Sequence, residues 1–140
     1  MNIAIIHCDG SYSRYSKRGS YGVVIQYKGK IKEFSEVCEG VTSSTRAEML
    51  GAIRAIEVYG PRADRIKIHT DCQVLVDGIT KHMPKWLETN RLDTIANKDL
   101  WLKIISLIKQ YIVEWVWVKG HYTDIHNNRA DALAREALEG

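Results

Sequence analysis

The chain lacks any apolar run long enough to cross a bilayer, and Met1 to Ser11 do not have the make-up of a secretory leader. Neither a membrane span nor a signal peptide is therefore expected. It also lacks a Cys-x-x-Cys pair. Its three cysteines, Cys8, Cys38 and Cys72, are an odd number without metal-site spacing, and they read as reduced thiols in a cytoplasmic protein. There are no internal repeats, no low-complexity linker and no heptad pattern. The 140 residues are read as one domain, 1–140, acting as a monomer without an obligate protein partner. Acidic residues are missing between Ser11 and Lys32, where Arg14, Lys17, Arg18, Lys28, Lys30 and Lys32 occur. The net charge of only +3 says little about partners. That local run predicts a basic edge for a polyanionic ligand, although lysines also protect exposed sheet edges.

What is present begins with Ile3 to Ser11. Apolar residues fall on both sides of its alternation, as in a strand covered on both faces. Asp9 closes this run. Asp-Gly is commonly a turn, but a carboxylate at the end of a buried strand can also be a metal ligand. Tyr12 to Ser20 is a polar loop in this reading. Tyr21–Tyr27 and Ile31–Glu39 form a hairpin around Lys28-Gly29-Lys30. A first helix opens across Thr42 to Glu48, where Thr45 and Glu48 fit a capping box that would make Glu48 a cap. Ile66–Thr70 is a fourth strand ending in Asp71, which can cap a short helix over Cys72–Ile79. Lys81–Lys98 is a polar excursion with helical content. A helix over Asp99–Gln110, a strand over Ile112–Val118 and a last helix bearing Asp131 complete the order.

Strands four and five each follow a helix, so right-handed crossovers lay them parallel to strand one. The expected fold is α/β, a five-stranded mixed sheet with helices on both faces. Ligand sites in such sheets lie at the carboxyl ends of parallel strands. Asp9, Glu48, Asp71 and Asp131, from four elements, can then converge, and clustered oxygen ligands suit Mg²⁺ or Mn²⁺.

The motifs carry a resemblance. Asp9-Gly10-Ser11, Tyr21-Gly22, Arg46-Ala47-Glu48 and Thr70-Asp71-Cys72-Gln73 come first. Gly78-Ile79-Thr80, Asp99-Leu100-Trp101, Trp117 to His121 and Asn128 to Ala134 follow. In this order the set resembles the type 1 ribonuclease H family over nearly the whole chain. The resemblance implies sheet order 3-2-1-4-5 and an endoribonuclease that hydrolyses the RNA strand of RNA–DNA hybrids, leaving 5′-phosphate and 3′-hydroxyl ends. It implies Asp9, Glu48, Asp71 and Asp131 as ligands for Mg²⁺ (or Mn²⁺), with two ions when substrate is bound. His121 is implied as a group assisting proton transfer or product release.

Substrate contacts are expected from Gly10, Ser11, Ser43, Ser44, Thr45, Arg46 and Gln73. This chain departs from the family in having Ser43-Ser44-Thr45-Arg46 where Thr-Asn-Asn-Arg is frequent, so hydroxyls replace amides. The segment 81–98 looks like a shortened form of a basic protrusion that holds the DNA strand, with Lys85 and Trp86 as contacts. His7 and His69 each stand two residues before a catalytic aspartate and are expected on one face as a neighbouring pair, at least one of them neutral. A non-catalytic hybrid-binding module and another nuclease of the same fold, such as a junction resolvase, are the alternatives. The four carboxylates weigh against the first, and Arg46-x-Glu48 with Gly120-His121 against both.

Overall fold

The computed structural model describes residues 1–119 and 124–139. Five strands form one sheet: β1 (Ile3–Ser13), β2 (Arg18–Tyr27), β3 (Lys30–Glu39), β4 (Arg65–Thr70) and β5 (Val113–Trp117). Their order is β3-β2-β1-β4-β5, with β1 antiparallel to β2 and parallel to β4, and β4 parallel to β5. The helices are α1 (Ser44–Tyr59), α2 (Gln73–Asp77), α3 (Met83–Thr89), α4 (Lys98–Gln110) and α5 (Ile125–Glu139).

Alternation along β1 divides its side chains between two layers. Ala4, Ile6 and Cys8 are fully buried on the α1 side. His7 and Asp9 point the other way, toward α5. Gly22, register partner of Asp9, lies on that second side. A Cβ at Gly22 would stand 2.2 Å from the Ala130 carbonyl oxygen, so the missing side chain lets α5 rest on the sheet. Apolar stripes on α1 and α4 fill the opposite layer, where Met49, Ile56 and Ile104 are fully buried. Burying such side chains supplies the main driving force, about 1.5–3 kcal/mol each.

Three local expectations change. Tyr12 to Ser20 is not a loop: Ser11 pairs with Ser20, Tyr12 with Gly19 and Ser13 with Arg18. The polar residues belong to a half-exposed continuation of the ladder, and Lys17 takes the left-handed conformation (φ 53°) that closes the turn. Asp9-Gly10 consequently runs within β1 rather than turning. The basic run also does not make one edge. Lys28 and Lys30 lie at the hairpin, beyond the Ile5–Gln26 pair, and Lys32 just inside it opposite Ile25, whereas Arg14, Lys17 and Arg18 lie at the other end of β1 and β2. Asp9 stands between the two groups.

The 81–98 segment is α3 followed by a 3₁₀ turn at Arg91–Thr94. A π turn, Gly78–His82, leads into it from α2. Met83 and Leu92 are buried, and the Trp86 ring meets Trp101 edge-on with centroids 5.3 Å apart. The excursion is therefore docked on α4. Gly78 permits this, because a Cβ there would come within 2.3 Å of the Trp101 ring.

Candidate active site

Asp9 stands on β1 just past the last β1–β4 pair, His7 with His69, and Asp71 follows the last residue of β4. Glu48 arrives from the first turns of α1. A serine and not the capping box starts that helix: Ser43, at φ −162° and ψ 159°, is the N-cap and accepts from the Arg46 amide at 3.1 Å. Glu48 is thereby released from capping and turns into the protein, where it is 2% exposed. Asp71 likewise caps nothing, since Cys72 precedes α2 and no side chain closes that helix end. The ordinary readings of both carboxylates fail on these points.

Oxygens of Asp9, Glu48 and Asp71 all lie within 4.8 Å of one another. They line an open cleft of about 310 Å³ together with Gly10, Ser44, Thr45, Cys72 and Asp131. Asp131 is at its rim, near enough to Asp9 to help raise that carboxyl, and is paired with Arg135 at 3.1 Å on the other side. Glu48 accepts from the Thr70 hydroxyl and from the Cys8 thiol, the latter at 3.4 Å. The Gly10 amide donates to Asp9 Oδ1 at 2.9 Å. Thr70 and Cys8 are supports that sequence reasoning missed. Each immediately precedes a site aspartate, and strand alternation turns it toward α1, which is the signal that could have found it.

Burial pushes the Asp9 carboxyl up to about 10, with Glu48, Asp71 and Asp131 adding to the effect through their charge. Burial also raises Glu48 to about 7, partly offset by the hydrogen bond from Thr70. Without a cation the cluster therefore retains a proton at neutral pH. A divalent cation relieves the same repulsion by displacing that proton. The donors are all hard oxygens, on an open cleft that leaves room for water, and this set fits Mg²⁺ or Mn²⁺ better than a thiol- or imidazole-seeking ion.

The family profile described as RNase H matches residues 1–139. The chain belongs to the ribonuclease H family. It is accordingly a nuclease, with five strands in the family's 3-2-1-4-5 order. Among relatives, the ribonuclease H of Maricaulis maris is 38% identical over 143 residues, covering 99% of this chain and 95% of the relative. That of Pelobacter propionicus is 34% identical over 137 residues, covering 95% and 83%. The crystal structure of LC9-RNase H1, described as a type 1 RNase H with the type 2 active-site motif, superposes with a TM-score of 0.83. Its identity is 25%, and the match covers 99% of this chain and 72% of that one.

The expected substrate contacts divide. Gly10, Ser44 and Thr45 line the carboxylate cleft. Ser43 is beside it as the helix cap. Gln73 is exposed at the start of α2. Ser11 belongs instead to a neighbouring groove with Arg18 and Arg135. Arg46 is not a cleft residue: its guanidinium grips Asp99 through two bonds, 2.9 and 2.6 Å, and reaches Asn97 at 3.2 Å. It fastens the start of α1 to the start of α4, and that fork is no longer free for a phosphate. Lys85 and Trp86 share a separate groove of about 400 Å³ with His82, Thr89 and Arg91. His121 lies outside the described residues. His7 and His69 stack with centroids 4.4 Å apart, on one face as expected.

Proposed function

We propose that residues 1–140 form one catalytic domain that hydrolyses the RNA strand of RNA–DNA hybrids at the Asp9–Glu48–Asp71 cleft, leaving 5′-phosphate and 3′-hydroxyl ends. The observation carrying this reading is the convergence of three carboxylates, within 4.8 Å, at the end of a ribonuclease H-family sheet. Asp9, Glu48, Asp71 and, at the rim, Asp131 would hold two Mg²⁺ ions, with Mn²⁺ able to replace them. When bound, such ions supply activation of the attacking water and charge stabilisation at the leaving oxygen.

The chain's own residues do the rest. Thr70 and Cys8 fix the Glu48 carboxylate by donating to one of its oxygens. The Gly10 amide fixes Asp9. Ser43, Ser44 and Thr45 present hydroxyls along the cleft edge for the sugar–phosphate backbone, and Gln73 presents an amide to the minor groove. Lys85 and Arg91, beside Trp86, hold the DNA strand electrostatically. His121 moves a proton at the leaving oxygen or assists product departure. Among the described residues no helix is long and apolar enough to cross a membrane. The three free thiols suit a reducing compartment, so the reading is a monomeric cytoplasmic enzyme.

The test offers the protein, with Mg²⁺, an end-labelled RNA–DNA hybrid, a DNA duplex and a four-way junction. Cleavage of the hybrid's RNA strand alone is expected. Binding of hybrid without cleavage, or cutting of the junction instead, would overturn the reading in favour of a binding module or a resolvase.

A further inference from the structure

Behind the carboxylate cleft is a second cluster of different chemistry. His7 on β1 and His69 on β4 are direct register partners. Both face α5, and the first turn of that helix comes down over them. Asp124 Oδ1 lies 3.5 Å from His7 Nε2, and the His126 ring centroid is 5.3 Å from that of His7. One ligand atom from each of His7, His69 and Asp124 lies within 4.8 Å of the others.

Two observations set this apart from a core ion pair. His7 is 5% exposed, and its buried Nδ1 has no hydrogen-bond partner among the described residues. Buried polar atoms in native proteins nearly always have one, so the described residues leave this ring incompletely satisfied, while its other nitrogen, Nε2, faces Asp124. The His7 and His69 rings also stack with centroids 4.4 Å apart beside the Asp124 carboxylate, so two imidazoles and one carboxylate meet at one place, and a neutral imidazole is the form in which histidine binds metals. Asp124 Oδ1 accepts from the Asn127 amide at 2.9 Å, closing the helix start.

We propose that His7, His69 and Asp124 bind one Zn²⁺-class divalent ion at a structural site distinct from the carboxylate cleft. Two imidazole nitrogens and one carboxylate oxygen are a borderline-soft donor set, which selects late first-row ions such as Zn²⁺ over Mg²⁺. His126 is placed to turn in as a fourth ligand, and water completes the shell otherwise. The two clusters share no residue: oxygens of Asp9, Glu48 and Asp71 form one, and His7, His69 and Asp124 the other. The ion would join β1, β4 and the first turn of α5, the helix that carries Asp131.

Protein comprising residues 1–140, stripped of metal and then given ~10 mM Mg²⁺ to occupy the carboxylates, is titrated with Zn²⁺ calorimetrically and in thermal melts. One Zn²⁺ per chain is expected, with Kd below about 10 μM and a rise in Tm. His69→Asn should weaken binding at least roughly tenfold, while Asp71→Asn leaves it nearly unchanged. Asp124→Asn, which keeps a cap-competent oxygen, serves as the second variant should His69→Asn fail to fold, and it too should weaken binding. Absence of Zn²⁺ binding overturns the proposal. So does binding that survives both cluster variants, or binding that disappears in Asp71→Asn, since the ion would then sit in the cleft.

Discussion

Replacing Asp9 by asparagine should make the metal-free protein more stable while removing its activity. The wild-type carboxyl is held up to about 10 against an ordinary value of 3.8, chiefly by burial. Between those values the folded chain keeps a proton that the unfolded chain releases. The folded state thus binds more protons, and stability falls as pH rises through that window. Each pH unit costs about 1.4 kcal/mol, so at pH 7 the upper value is about 4 kcal/mol. An asparagine at this position would be exempt from that loss, and its Oδ1 could still accept from the Gly10 amide. A gain of about 2–4 kcal/mol corresponds to a rise in Tm of roughly 5–12 °C for a chain of this size. The assay is thermal unfolding followed by circular dichroism in chelator, from pH 4 to pH 7. The two proteins should melt together near pH 4 and separate progressively above it. Added Mg²⁺ should then narrow the gap, because it stabilises the wild type by binding the native state, by about 2.7 kcal/mol at a hundred times Kd. An Asp9→Asn protein that is less stable than wild type at pH 7 in chelator, or a gap independent of pH, would refute the reasoning.

Glu48→Gln and Asp71→Asn should each nearly abolish hydrolysis of a labelled hybrid, by roughly a thousandfold or more, with far-UV circular dichroism unchanged. Asp131→Asn should lose much less, because this rim carboxylate can be partly replaced by an amide oxygen or water; equal losses in all three would contradict the geometry. Charge reversal at Lys85 and Arg91 together should raise KM several-fold, leave kcat nearly constant and flatten the salt dependence of binding, by a slope of roughly 0.9 per lost phosphate contact. A fall in kcat at constant KM would remove this groove from substrate binding. Gly22→Ala should cost about 2–4 kcal/mol in denaturant titration, since its Cβ would meet the Ala130 carbonyl at 2.2 Å and α5 must move away.

Much of this architecture was legible because it depends on local periodicity and on motif order. The covered strand from Ile3 to Asp9, the crossovers and the positions of Asp9 and Asp71 all follow from that. The His7–His69 pair was legible too, from register, once β1 and β4 lay parallel. What escaped has a physical pattern. Ser43, Ser44 and Thr45 are all competent caps, and only the extended backbone at Ser43 decides among them. The capping box was therefore a correct local match with the wrong owner. Arg46 looked free because its partner, Asp99, is 53 residues away and nothing nearby in sequence announces the pair. The Ser11–Ser20 ladder was hidden by polarity, since a half-exposed hairpin needs no apolar alternation. Asp124 and His126 had no evident role until α5 was seen to enter over the two stacked rings.

The site also explains why its carboxylates come from different layers. Asp9 faces α5, whereas Glu48 rises from α1 on the other side of the sheet; the body of a strand would keep them apart. Just past the end of the β1–β4 pairing that barrier is Gly10. A Cβ there would stand 2.6 Å from the Glu48 amide nitrogen and 2.9 Å from the Ser44 carbonyl oxygen. With hydrogen in its place, the first turns of α1 settle directly against β1, and Glu48 reaches round to Asp9 and Asp71. The glycine after the aspartate thus serves close approach and not a turn. Three acids brought together in this way repel one another, and the raised pKa values of Asp9 and Glu48 reflect that repulsion on top of their burial. The packing of α1 and α5 on the sheet supplies the free energy that holds them there until a cation arrives. Repulsion of this kind, confined to one end of an otherwise well-packed sheet, places a metal-binding site there without loosening the core.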